Sequence, residues 1–162
     1  MKLALSVGAS CAAMLLTSCV PQYKPPPASA NTAQLYMGGE PGYTLATHVY
    51  RNAQTCSGRV WVSGGVAGPP KWINVVGDEP ITISIDVGDA DGVCPAIGTF
   101  IPKSGRRYIA HAVFRDGIQH CGLAVNEASS YGSVGAAVQV KQRKFKGGIA
   151  ESSAWCIPDG QH

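Results

Sequence analysis

The chain has 162 residues and a formal net charge of +3, with 14% charged residues, 20 Gly and 11 Pro. That length gives one domain with a modest core, and the Gly and Pro content works against long helices and for short strands joined by turns. So small a net charge makes no case for a polyanion partner by itself.

Met1-Lys2 is followed by an uncharged apolar run from Leu3 to Leu16. It has the length of a secretory h-region and is too short to span a bilayer as a permanent helix. The run closes on Leu16-Thr17-Ser18-Cys19. These four residues resemble the lipobox of bacterial lipoproteins. The resemblance implies that residues 1–18 are a signal peptide and that the Cys19 thiol takes diacylglycerol. Cleavage falls just before Cys19, and the new amino group is then acylated, typically with palmitate. A thiolate has the nucleophilicity this transfer needs. Three acyl chains exceed the roughly two signals that stable anchoring takes. Val20 stands where an Asp would retain such a protein at the inner membrane. The implied location is therefore the outer membrane, on its periplasmic face, with the lipid as the membrane contact.

Residues 19–34 follow the signal with Pro25-Pro26-Pro27 and small polar residues. This composition predicts an extended, disordered tether, able at ~3.1 Å per residue to hold the domain about 40 Å from the membrane. Residues 35–162 are expected to form a single all-β domain. Ile81, Ile83 and Ile85 alternate with Thr82, Ser84 and Asp86, the period of a strand with one buried and one wet face. Cys121, Leu123 and Val125 alternate likewise, as do Val134, Ala136, Val138 and Val140. Arg107 to Phe114 and Gln119 to Val125 flank Asp116-Gly117, a hairpin signal. Ala46 to Tyr50, Arg59 to Val62 and Trp72 to Val76 complete about seven to nine short strands, punctuated by Gly- and Pro-rich turns. The expected fold is an antiparallel β-sandwich or small barrel.

Pro102-Lys-Ser-Gly105-Arg-Arg-Tyr108 resembles the turn-into-strand of small extracytoplasmic β-sandwich modules of the transthyretin-like kind. The resemblance implies a Pro and Gly corner with the Tyr entering the core. Ser104-Gly105-Arg106-Arg107-Tyr108 also resembles the Ser-Gly-x-x-Tyr loop of lysozyme-inhibiting lipoproteins, but that family's Trp-x-Lys-Gly strand is missing. A cationic loop would also approach cationic lysozyme badly.

Cys11 leaves with the signal and Cys19 is the lipid site, so Cys56, Cys94, Cys121 and Cys156 remain. An even count in an exported domain reads as two disulfides. Spacing does not choose among three connectivities. Cys94–Cys121 is favoured because the intervening segment reads as adjacent strands, and Cys56–Cys156 because it would staple the ends of the domain. No Cys-x-x-Cys occurs, and His48, His111, His120 and His162 lack ligand spacing with the cysteines, so no metal or other cofactor is expected. Asp86, Asp89, Asp91 and Gly92 invite a weak calcium site, but an EF-hand alignment puts Val87 at the first ligand position and Gly98 at the last.

No nucleophile motif surrounds Ser63, Ser129 or Ser130. An enzyme acting on cell-wall material would need a polar constellation around His48, His111 or His120. Trp61, Trp72 and Trp155, with the tyrosines, could line a glycan face, but Trp61 and Trp155 read as core or disulfide packing. Lys141, Arg143, Lys144 and Lys146 form one basic group, with Lys103, Arg106 and Arg107 a second. They are candidates for an envelope protein or anionic envelope polymer, not nucleic acid. The expectation is a nonenzymatic lipoprotein serving as a binding or adaptor module, with the lysozyme inhibitor and the cell-wall enzyme as alternatives.

Overall fold

Alternation of β-branched residues makes the strands, and two sheets bury the apolar sets against each other. A computed structural model describes residues 21–38, 44–64, 69–89, 92–115, 120–129 and 134–157. The described residues contain ten strands: β1 Thr32–Met37, β2 Thr44–Asn52, β3 Ser57–Ser63, β4 Trp72–Val76, β5 Ile81–Asp89, β6 Gly92–Phe100, β7 Arg107–Phe114, β8 Cys121–Ala128, β9 Val134–Ala137 and β10 Lys141–Gln142. Five make a first sheet in the order β4-β1-β7-β8-β9, and five make a second in the order β10-β6-β5-β2-β3. The sheets do not close on each other, so the fold is a sandwich and not a barrel. All pairs are antiparallel except β1 with β7.

The core lies between the inner faces. Leu35, Val75, Tyr108, Ala110, Leu123 and Val125 of the first sheet meet Val49, Val60, Val62, Ile83, Ile85 and Phe100 of the second. Where β6 and β8 approach, a Cβ on Gly98 would stand 2.5 Å from Val140 Cγ1 and 2.9 Å from Leu123 Cδ2, so the close contact requires glycine. At the corner before β7, Gly105 has φ 74° and Pro102 is buried. Tyr108 enters the core, 1% exposed, and its hydroxyl accepts the Lys103 N–H at 2.8 Å. The corner therefore has the local geometry expected of its sequence.

Both disulfides form in the favoured pairing, Cys56–Cys156 with Cα atoms 5.5 Å apart and Cys94–Cys121 at 6.1 Å. The first ties the C-terminal segment to the β2–β3 turn, and the second joins β6 to β8 across the two sheets.

Several expectations need correction. The segment read as a disordered tether is docked where it is described: Trp61 N–H donates to Pro21 O at 2.9 Å, and Tyr23 N–H donates to Trp61 O at 2.7 Å. The Tyr23 ring packs on the core and its hydroxyl donates to Asn74 O, while Asn74 Nδ2 donates to Pro26 O. Composition hid this because a single aromatic anchor and backbone pairing suffice to hold an otherwise polar stretch. The β domain also begins earlier than residue 35, since β1 starts at Thr32. The run expected from Val134 to Val140 splits into β9, whose four residues are all exposed, and a crossing to β10 in the other sheet. Asp116-Gly117 lies outside the described residues, although β7 and β8 do pair antiparallel around it.

Candidate functional site

The polar face of β5, expected to be wet, is covered. Its cross-strand register places His48 opposite both Trp61 and Ser84, and Tyr50 opposite both Arg59 and Thr82. These side chains point away from the sandwich core, yet Thr82, Ser84 and His48 are 0–1% exposed and Tyr50 is 3% exposed. Residues 143–157 roof them. Arg143 N–H donates to Ile97 O, Arg59 N–H to Glu151 O and Trp155 N–H to Cys56 O. Tyr50, Cys56, Ile97, Trp155 and Cys156 form a second small core beneath that roof.

Within it, His48 Nδ1 lies 3.2 Å from Ser84 Oγ and 3.5 Å from Asp86 Oδ2, and Tyr50 donates to Ser84 Oγ at 3.2 Å. Arg59 closes the side with a bidentate pair to Glu151, at 2.7 and 3.0 Å, and stacks its guanidinium 3.5 Å over the Trp155 ring. The His48 ring meets Trp61 edge-on at 4.6 Å. Burial, reinforced by the Arg59 charge, pushes His48 down to about 3. Burial pushes Asp86 up to about 6, against the pull of Arg59 and the Ser84 hydrogen bond. The hydrogen bond from Arg59 holds Glu151 below the usual carboxylate range. At neutral pH the cluster therefore holds a neutral imidazole and an ionised Asp86, with Nδ1 donating toward the acceptor oxygens.

Ser84, His48 and Asp86 are the residue types of a hydrolytic triad, but the arrangement does not serve one. A nucleophile and an orienting carboxylate must use different ring nitrogens, so that a proton can enter at one and be stabilised at the other. Here both oxygens address Nδ1, while Nε2 is buried with no hydrogen-bond partner among the described residues. Ser84 has no exposure through which a substrate could reach it. The group acts as a polar tie between β2, β3, β5 and the roof.

Sequence reasoning missed this assembly because its members come from Thr44–Asn52, Ser57–Ser63, Ile81–Asp89 and the C-terminal segment. The signal that could have found it is Trp61, His48 and Ser84 on the outward parity of three neighbouring strands. His111 lies half-buried on the outer face of β7, and His120 is exposed beside β8, so the described histidines do not converge. The chain matches no protein-family model, no curated protein and no solved structure.

The two basic groups separate onto different sheets. Arg106 is exposed, and Arg107, at the start of β7, stacks 4.2 Å from the Trp72 ring beside Tyr36. Lys141, Lys144 and Lys146 are exposed at and beyond β10. Arg143 is not a displayed cation: it is 8% exposed, and its guanidinium donates to Gln54 O. A groove of about 570 Å³ runs between this segment and the end of the β7–β8 pair, bordered by Arg115, His120 and Lys144. Its apolar part comes from Ile97, Val113 and Phe145.

Of the remaining predicted positions, Asp86 belongs to the roofed cluster, while Asp91 and the Asp89 side chain lie outside the described residues, as does Cys19. Trp155 packs beside the Cys56–Cys156 disulfide, whereas Trp61 faces His48 and not the main core. Ser104 donates to Asp78 Oδ2 at 2.6 Å, and Tyr108 is internal, so the Ser-Gly-x-x-Tyr element does not present its tyrosine outward.

Proposed function

We propose that the chain is a nonenzymatic outer-membrane lipoprotein, held by acyl groups on Cys19, whose sandwich is a binding or adaptor module for an envelope component. The observation that carries this reading is the Ser84–His48–Asp86 cluster, in which Ser84 and His48 are sealed and the Asp86 side chain is 18% exposed. The polar residues best suited to chemistry are spent inside, while cations and apolar side chains are displayed around the groove beside β10.

The docked residues bear on where such an anchor would lie. Only Val20 separates Cys19 from Pro21, whose carbonyl is bonded to β3. At ~3.5 Å per residue the lipid would then sit within about 7 Å of that bond, not 40 Å away. The β3 edge would face the bilayer. β10, the opposite edge of the same five-stranded sheet, would stand about 19 Å further off at ~4.8 Å per strand spacing.

Crosslinking in intact cells, followed by mass spectrometry of captured partners, tests the reading, with Cys19→Ser as its control. Wild type is expected in the membrane fraction with a specific envelope partner attached. Cys19→Ser is expected to leave that fraction. An unchanged distribution of Cys19→Ser would refute the anchor.

A further inference from the structure

We infer that the groove between β10 and the end of the β7–β8 pair binds an extended acidic peptide segment of a partner protein, in which apolar residues are spaced between carboxylates. The inference rests on the binding-module reading and names the chemistry of its ligand.

Charge comes first. Arg115, His120 and Lys144 border the groove and are all exposed, and no Asp or Glu is among the described residues that line it. Cations on both borders of a concave surface, with no acid among the described residues that line it, attract and orient an anion. Apolar side chains line the same groove: Ile97 is buried, while Val113 is 39% and Phe145 46% exposed. A purely anionic polymer would leave that surface wet. An extended peptide with alternating acidic and apolar side chains satisfies both, because alternation puts its apolar side chains on one face, toward the groove, and its carboxylates on the other, toward the exposed cations at the borders, each set at ~6.6 Å spacing.

The backbone beside the groove is already occupied, which directs recognition to side chains. Gln142 imitates a strand partner for β8: its Oε1 accepts Leu123 N–H at 2.9 Å and its Nε2 donates to Leu123 O at 2.7 Å. Cys121 N–H is directed at Cys94 Sγ at 3.2 Å, and Val125 O accepts Val138 N–H. A ligand therefore cannot enter by adding a strand to this stretch of β8. On the proposed anchoring at Cys19, the groove would stand away from the anchoring leaflet, since it lies at the β10 edge of the sheet and the docked N-terminal segment at the β3 edge, so the lipid headgroups of that leaflet are not its favoured occupant.

The test is fluorescence anisotropy with a labelled eight-residue peptide of alternating Glu and Leu, titrated with the mature lipidated chain in neutral detergent. Wild type is expected to bind saturably, with affinity falling as salt rises. Arg115→Glu/Lys144→Glu is expected to weaken binding at least tenfold, and Arg115→Gln/Lys144→Gln by an intermediate factor. Lys71→Glu/Arg106→Glu makes the same change in net charge elsewhere and is expected to alter affinity less than twofold. Thermal melts check that all variants are folded. Equal losses in the two charge-reversed proteins would overturn the inference, because they would reduce it to overall charge, and so would an absence of saturable binding by wild type. Mixed micelles containing phosphatidylglycerol form the lipid arm. If they displace the peptide where phosphatidylcholine micelles do not, the groove is a lipid site and the peptide assignment is wrong. Failure here leaves the Cys19 fractionation and partner-capture results standing, so the two readings fail separately.

Discussion

The two outward faces of the sandwich are built from the same strand alternation and end in opposite environments. On the second sheet, Thr82, Ser84, His48 and Tyr50 are sealed beneath residues 143–157. On the first sheet, Tyr36, Trp72, Ile109 and His111 stay half-buried. Each face even carries an arginine over a tryptophan, Arg59 on Trp155 and Arg107 on Trp72. Arg59 is locked by a bidentate carboxylate from a segment that a disulfide secures. Polarity along a strand therefore does not by itself decide which face is wet. A distant segment that carries its own hydrogen-bonding groups can convert a polar face into a second interior.

The largest expected effect comes from detaching that segment. Replacing Cys56 and Cys156 together by Ser opens a loop of sequence separation 100, and Cys94 with Cys121 one of 27. Loop closure in the unfolded chain predicts losses of about 4.7 and about 3.6 kcal/mol respectively. Chemical denaturation of the two double variants measures both. A roof that could be released at no greater cost than the Cys94–Cys121 link would break the contrast between the faces.

A smaller effect is carried by pH. Burial holds His48 at about 3 against an ordinary 6.5, so the folded state resists its proton and stability falls as pH drops from 6.5 toward 3. Asp86 has the opposite sign. At about 6 against 3.8 it binds its proton more readily when folded, and stability rises as pH drops from 6 toward 3.8. In wild type the two contributions oppose each other between pH 6 and 3.8. His48→Gln is expected to leave a protein that gains stability on acidification through that window, and Asp86→Asn one that loses it. Each slope is at most about 1.4 kcal/mol per pH unit. Denaturant titrations at pH 4, 5, 6 and 7 measure them, and parallel slopes in the two variants would contradict the opposed burial.

Much of the fold was legible because it is local. The Ile81, Ile83, Ile85 alternation and the Tyr108 corner each depend on a few neighbouring residues, and strands appear where those patterns lie. The disulfide pairing followed from strand adjacency and from the positions of Cys56 and Cys156 near the two ends of the domain. What escaped was non-local. Nothing near Ser84 announces that Glu151 and Trp155 will roof its strand, and nothing in Pro21-Gln22-Tyr23 announces that Trp61 will bind its backbone. Basic residues could be counted, but not their fates: Lys144 is displayed while Arg143, its neighbour, turns inward to Gln54.

The His48 cluster is interior structure, which is why the binding surface is proposed elsewhere. The most direct test of that interior placement is an NMR titration following the His48 imidazole carbon-bound proton from pH 7.5 to 4, with His48→Gln assigning the resonance. The account predicts no change of imidazolium size down to pH 4, because burial holds the ring near 3, with only a small inflection near 6 as the adjacent Asp86 takes its proton and none in Asp86→Asn. A full imidazolium shift centred near 6.5 and retained in Asp86→Asn would mean that water reaches the ring, and would contradict it.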